Sequence, residues 1–367
     1  MRRMVLGMMA ALGACASPKE AGVKWPTLDG KPPLIIAHRG ASGYLPEHTL
    51  EAYALAIEQG ADVIEPDLVF TKDGVLVARH DRYLSTTTNV ADKPEFAARR
   101  RPNADPSSEP REDWWVEDFT LAELKTLRAR QPFPGRTKEH DDKFEIPTFA
   151  EMVALVAAKA KDAGRPVGVY PETKHPAYFA SIGHDFEAPL LAALEDFDAG
   201  PVFIQSFEPE ILKRLKGKTN AKLVQLVYVA PTKGDATVPM PNISLSDLSA
   251  YADGVGAEKR LRGFTSFDDR RAHSSFIGEA HALGLFVHLW TFRDDRPDLG
   301  VAQAWSELLE DGASGMDVAT LSAKAAGSAA DYELRVAYLA GTDGVFADFP
   351  DTAIKVKSAA FSGFETK

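Results

Sequence analysis

From residue 31 onward short β-rich runs alternate with helical patterns, and this alternation constrains the fold more than any other feature of the 367-residue chain. Leu34-Ile35-Ile36-Ala37 reads as a buried strand, and 49–58 follows with Leu50, Tyr53, Ala54 and Ile57 at helical spacing. Residues 62–70 form a second strand, which 75–78 extends past the Asp73-Gly74 turn. Further strands are expected at 166–170, 202–205, 222–227, 254–256, 285–290 and 344–347, with helices at 149–161, 186–194, 209–215 and 270–283. Such alternation means crossover connections and a parallel sheet covered on both faces. Eight strands favour a closed α/β architecture, the (β/α)8 TIM barrel, over an open doubly wound sheet. Two segments break the rhythm: an insertion after the second strand, 81–145, and a long excursion before the last strand, 292–343. Without them and the first residues, the length approaches the roughly 250 residues of a plain barrel. The insertion is rich in charge and proline, so it is expected to be solvated and loosely ordered.

Charge narrows the classes of function. Acidic residues outnumber basic ones, 53 to 42, for a net charge of −11, which argues against nucleic acid as a partner. No interior run approaches the ~18 apolar residues of a spanning helix. The one cysteine rules out an intramolecular disulfide framework and a cysteine-rich zinc site. Its position is informative. Arg2-Arg3 precedes an apolar run from Met4 to Leu12, and Leu12-Gly13-Ala14-Cys15 resembles the lipobox of bacterial lipoproteins. The expected organisation is a signal at 1–15 ending at Cys15, a linker at 16–30 and one barrel domain at 31–360. The protein would be exported to the periplasm or cell envelope and meet the membrane only through a lipid anchor on Cys15. The competing reading is a cytosolic protein with a frayed apolar start.

In such a barrel the C-terminal strand ends converge on one pocket. The first strand ends at His38-Arg39; the second carries Glu65 and Asp67, and its extension ends at His80-Asp81; the third ends at Glu172, with Lys174 two residues on; the seventh ends at Trp290. Glu65 and Asp67, two apart on a strand, point to one face. With Glu172 they make a cluster of like charge that one divalent cation, Ca²⁺ or Mg²⁺, would relieve, oxygen ligands suiting either better than zinc. Alternatively the acids pair with Arg39 and Lys174 and no metal binds. Arg39 and Lys174 beside a metal describe a phosphate site. His38 and His80 could divide general base and general acid between them. Glu47 is expected to orient the metal ligands or His38. Phe207 and Trp290 could form an apolar substrate wall, and His288 is read as a core histidine.

The strings carrying these residues resemble one family. His38-Arg39-Gly40-Ala41-Ser42-Gly43-Tyr44-Leu45-Pro46-Glu47-His48-Thr49-Leu50, Gly60 to Asp67, and His80-Asp81 are similar to glycerophosphodiester phosphodiesterases, most strongly the periplasmic bacterial branch. The likeness continues through Pro171-Glu172-Thr173-Lys174, Gln205-Ser206-Phe207, Trp290-Thr291-Phe292-Arg293 and Gly344 to Asp351. His48 stands where many members carry asparagine. The resemblance implies a TIM barrel with an insertion after the second strand. It implies His38 and His80 as the acid/base pair, Glu65, Asp67 and Glu172 as metal ligands, and Arg39 and Lys174 on the phosphate. The implied reaction is hydrolysis of a small-molecule glycerophosphodiester to sn-glycerol 3-phosphate and an alcohol. Competing expectations are a related barrel acting on intact or lyso-phospholipids, and a catalytically idle surface lipoprotein.

Overall fold

A computed structural model describes residues 24–230, 240–261, 276–298, 300 and 328–360. The signal-like segment with Cys15 and most of the excursion before the last strand lie outside the described residues. The barrel strands are β1 (Leu34–His38), β2 (in two pieces, Val63–Glu65 and Asp67–Phe70), β3 (Gly168–Val169 and Glu172–Thr173), β4 (Phe203–Ser206), β5 (Lys222–Val227), β6 (Gly254–Glu258), β7 (Phe286–Phe292) and β8 (Gly344–Ala347). A helix follows each one: α1 (Leu50–Gln59), α2 (Phe149–Ala163), α3 (Glu187–Leu194), α4 (Pro209–Leu215), α5 (Leu245–Leu248), α6 (Phe276–Ala282), α7 (Ala329–Leu339) and α8 (Pro350–Ala360).

The ring of strands closes. β8 pairs in parallel with β1, and β1 with β2. Pro66 and Pro171 lack the N–H a ladder needs and split β2 and β3. Yet Val63↔Gly168, Ile64↔Val169, Asp67↔Glu172 and Leu68↔Thr173 keep one constant register across the breaks. β3 in turn meets β4 at Val169↔Val202 and Glu172↔Gln205, and parallel pairing runs on through β5, β6 and β7 to β8. The helices bury their apolar stripes on the outer face of this ring. α1, for example, is capped by Thr49, whose hydroxyl accepts from the Ala52 N–H, and buries Ala52, Tyr53, Ala56 and Ile57. Inside, Ile36, Val63, Tyr170, Phe203, Val224 and Phe346 form a separate apolar floor.

Four expectations are corrected. Residues 75–78 do not extend β2 but fold back as an antiparallel strand, Leu76–Ala78, on its second piece, because the Asp73-Gly74 turn, with Gly74 at φ 79°, reverses the chain. The insertion is compact rather than loosely ordered. It buries Leu84, Val90, Phe96, Trp115, Val116, Phe119, Leu124 and Leu127, and its charges pair among themselves, as Arg82 with Glu117 at 2.7 Å and Arg101 with Asp118 at 2.7 Å. The linker does not run to residue 30, since Trp25 packs into the core and the Leu28 N–H donates to Asp343 at 2.6 Å. The excursion before β8 contains barrel helix α7, which covers the sheet like its counterparts. Among the described residues, no helix is long and apolar enough to cross a membrane.

Candidate active site

The site follows from the two-residue repeat of strands whose inner faces line a closed ring. Two positions beyond the apolar floor, most strands deliver a polar or aromatic group at the C-terminal end, whereas β5 follows Val224 with Leu226. Ile36 leads to His38, Val63 to Glu65 and Asp67, Tyr170 to Glu172 and Lys174, Phe203 to Gln205 and Phe207, and Phe346 to Asp348. His288 is buried among the floor residues, with Nδ1 3.1 Å from the Tyr170 hydroxyl, which confirms it as a core histidine.

Glu65, Asp67 and Glu172 are buried, and one carboxylate oxygen of each lies within 4.8 Å of the others. The Arg39 N–H and the Gln205 amide donate to the two oxygens of Glu65 at 2.9 and 3.1 Å. His48 Nε2 and Arg39 Nε sit 2.9 and 3.3 Å from Asp67, and Lys174 Nζ is 2.8 Å from Glu172. The expected ion pairs with Arg39 and Lys174 are therefore present, but they leave the triad short of positive charge. Burial, then the charges of Asp67 and Glu172, pushes Glu65 well above the ordinary carboxylate range. Burial and Asp67 push Glu172 up to about 8, against the pull of Lys174. Asp67 goes the other way: burial raises it, but Lys174, His80, His48 and Arg39 outweigh burial and hold it well below its ordinary value. The donor set fits a hard divalent cation, being all oxygen and electron-rich, with the buried Gln205 Oε1 alongside it lacking a hydrogen-bond donor.

Glu47 differs from its expected role. It neither touches a metal ligand nor reaches His38. Instead both its oxygens accept from Arg39 Nη1, at 3.2 and 3.0 Å, so its charge fixes the guanidinium. His48, whose role was open, orients Asp67 on one ring nitrogen and meets the Tyr53 hydroxyl at 2.8 Å on the other.

Each expected acid/base histidine has a carboxylate on Nδ1. His38 Nδ1 is 2.7 Å from Asp348 Oδ1, and His80 Nδ1 is 2.7 Å from Asp81 Oδ1. An ionised carboxylate can only accept, so in each pair Nδ1 carries the proton and Nε2 is the open nitrogen. Burial, helped by Arg39, lowers His38 to about 4 despite Asp348, so the ring is neutral near pH 7. Burial followed by Arg39 and Lys174 also lowers His80, against Asp67 and Asp81. Asp348 stays well below the carboxylate range: burial raises it, but His38, Arg293 and Arg136 prevail.

One cavity of about 240 Å³ gathers His38, Arg39, His80, Glu172, Lys174, Phe207 and Trp290 in its lining. Phe207 and Trp290 meet edge to face at 5.9 Å and form one wall. Glu65 and Asp67 sit beneath, against Glu172. Sequence reading missed Asp348, Arg293, Glu258, Lys259 and Arg260, all at or just beyond strand ends, and Arg136, which reaches in from the insertion. Carrying the strand-end rule on to β6 and β8 would have found Glu258 and Asp348; Arg136 has no such signal.

Comparison with known proteins gives a concordant picture. Residues 38–352 match the model of the glycerophosphoryl diester phosphodiesterase family. A glycerophosphodiester phosphodiesterase of Haemophilus influenzae is 30% identical over 396 aligned positions, covering 97% of this chain and 98% of that one. One from Arabidopsis thaliana is 35% identical over 284 positions, covering 72% of this chain and 75% of its own. An Oleispira antarctica phosphodiesterase, solved in complex with the product sn-glycerol-3-phosphate, shares the fold at a TM-score of 0.54 and 20% identity, over 90% of this chain and 99% of that one.

Proposed function

The chain belongs to the glycerophosphoryl diester phosphodiesterase family, and from that membership we propose that it hydrolyses a glycerophosphodiester to sn-glycerol 3-phosphate and an alcohol by acid/base catalysis between His38 and His80. The observation that carries this reading is the pair of carboxylate-backed imidazoles lining one cavity with a guanidinium, an ammonium and a carboxylate triad.

Glu65, Asp67 and Glu172 would hold one divalent cation, Ca²⁺ or Mg²⁺, which supplies positive charge against the phosphate oxygens as the phosphorus becomes five-coordinate. Arg39, steadied by Glu47, and Lys174 contribute further charge to the same phosphate. His38, neutral with Nε2 open, is the base. It takes the proton of the glycerol 2-hydroxyl, whose oxygen attacks phosphorus, while His80, entering as the imidazolium with its second proton on Nε2, gives that proton to the departing alkoxide and is left neutral. This leaves a cyclic phosphate. In the second half His80 takes a proton from water, the water oxygen opens the ring, and His38 returns its proton to the 2-hydroxyl. Phe207 and Trp290 shield the glycerol carbons. The protein would act outside the cytoplasm, in the periplasm or cell envelope, held by acyl chains on Cys15.

The deciding assay follows release of glycerol 3-phosphate from glycerophosphocholine with and without a chelator, beside lysophosphatidylcholine. Turnover of glycerophosphocholine that stops with chelator and returns with Ca²⁺ or Mg²⁺ is expected. Turnover of the lyso-lipid alone would move the assignment to acylated substrates, and none at all would leave an idle barrel. The mass of the mature protein checks the anchor, since absence of acyl groups on Cys15 contradicts it.

A further inference from the structure

Resting on the phosphodiesterase reading, we infer that Arg136, carried by the insertion between β2 and β3, is a positioning residue for His38 and acts through Asp348. Asp348 uses its two oxygens differently. Oδ1 meets His38, and Oδ2 meets Arg136 Nη2 at 2.5 Å and Arg293 Nε at 3.0 Å. Of the two arginines, Arg136 is the buried one, its side chain 2% exposed against 27% for Arg293. The rest of the Arg136 fork is also engaged. Nη1 donates to the Ser42 carbonyl at 3.0 Å, Nε and Nη2 hold Asp295 at 2.9 and 3.2 Å, and the guanidinium stacks 4.3 Å over Phe133.

These contacts grip His38 from two sides. The Ser42 carbonyl that Arg136 holds also accepts from Gln131 of the insertion at 2.9 Å, and the Ser42 hydroxyl donates to the His38 carbonyl at 2.9 Å. Through Ser42 the insertion fixes the backbone of His38, and through Asp348 its ring. A buried carboxylate needs cationic or hydrogen-bonding partners on both oxygens to stay ionised and in one rotamer. Without Arg136 the imidazole keeps its place on β1 but loses the rigid acceptor that fixes its tautomer. A guanidinium serving only to staple the insertion to the barrel would affect melting and substrate affinity, not turnover.

The test compares kcat and KM for glycerophosphocholine in wild type, Arg136→Met and Arg136→Lys, with melting curves and the low-field proton NMR signal of the His38 Nδ1–H. In a folded Arg136→Met, kcat should fall roughly 10- to 100-fold with KM nearly unchanged, the low-field signal should be lost, and Arg136→Lys should recover part of kcat. A folded Arg136→Met with kcat within about twofold of wild type, or with only KM raised, overturns the inference while wild-type activity keeps the phosphodiesterase reading intact. If Arg136→Met does not fold, Arg136→Lys decides. Its single ammonium cannot span Ser42, Asp295 and Asp348 together, and kcat within about twofold of wild type overturns the role. An inactive wild type removes the functional reading instead; the NMR arm then still tests Arg136, an unchanged low-field signal in Arg136→Met sinking it.

Discussion

An imidazole whose Nδ1–H is given to a carboxylate has one tautomer and one free nitrogen, and this site holds two of them, His38 buried and His80 partly exposed. His38→Ala and His80→Ala are each expected to lower kcat by about 10²- to 10⁴-fold while the melting temperature stays near wild type. Near-normal turnover in either variant removes that histidine from the chemistry. Asp348→Asn keeps the shape but loses an acceptor that is anionic on both sides, and should cost about 10- to 100-fold in kcat. For the carboxylate triad, Glu65→Gln should weaken Ca²⁺ or Mg²⁺ binding in calorimetry, with activity partly restored by excess cation; unchanged affinity would mean that Glu65 is not a ligand. The triad and His38 could be read from the sequence because each sits on an inward strand position where charge is costly without a purpose, and Arg39, His80 and Lys174 because they lie within two residues of strand ends. Glu47 was placed correctly but given the wrong contact. Carboxylates beside a guanidinium eight residues away cannot be assigned without coordinates, because loop geometry selects the partner.

At the scale of elements, the turn from β1 into α1 does the most for the site. Arg39 and Gly40 both adopt positive φ, 60° and 85°, which turns the Arg39 side chain toward Glu47 and lets the chain pass tightly over α1. A Cβ on Gly40 would lie 2.7 Å from the Ala52 carbonyl carbon. Gly40→Ala should therefore destabilise the fold by more than about 1 kcal/mol and lower kcat as well, checked by denaturant unfolding and the glycerophosphocholine assay. A wild-type midpoint would show that the turn relaxes freely. The strands of the ring were legible because two-residue alternation and β-branched runs are local properties. The character of the insertion was not, because its order comes from pairing across the segment: Arg99 reaches Glu123 and Trp114 reaches the Phe96 carbonyl. A list of charges and prolines cannot distinguish such pairs from solvated side chains.

For the molecule as a whole, pH is the informative variable. Burial lowers His38, His48 and His288 from 6.5 to about 4, so all three are neutral in the folded chain near neutral pH. The unfolded chain takes up these protons near pH 6.5, and the folded chain only near 4. Between those values the unfolded state binds more protons at these three histidines, so their contribution to stability should fall as pH drops through this window and level off below it, while Glu65 and Glu172, raised above the ordinary carboxylate range, act in the opposite sense. His288, deep in the floor, contributes up to about 3 kcal/mol of this loss. His288→Gln should accordingly show a smaller shift in denaturant midpoint between pH 7 and pH 4.5, and an equal shift would mean that His288 is not the group responsible. Closure of the ring was legible only as a strand count, since Pro66 and Pro171 hide the continuity of two strands that the register restores. That closure has a consequence in time. It sets β8 against β1, so that His38 meets a partner 310 positions later in the chain. A ribosome has to deliver all eight strands before the pair can meet, and a nascent chain stalled ahead of β8 would be catalytically silent however well its earlier strands had docked.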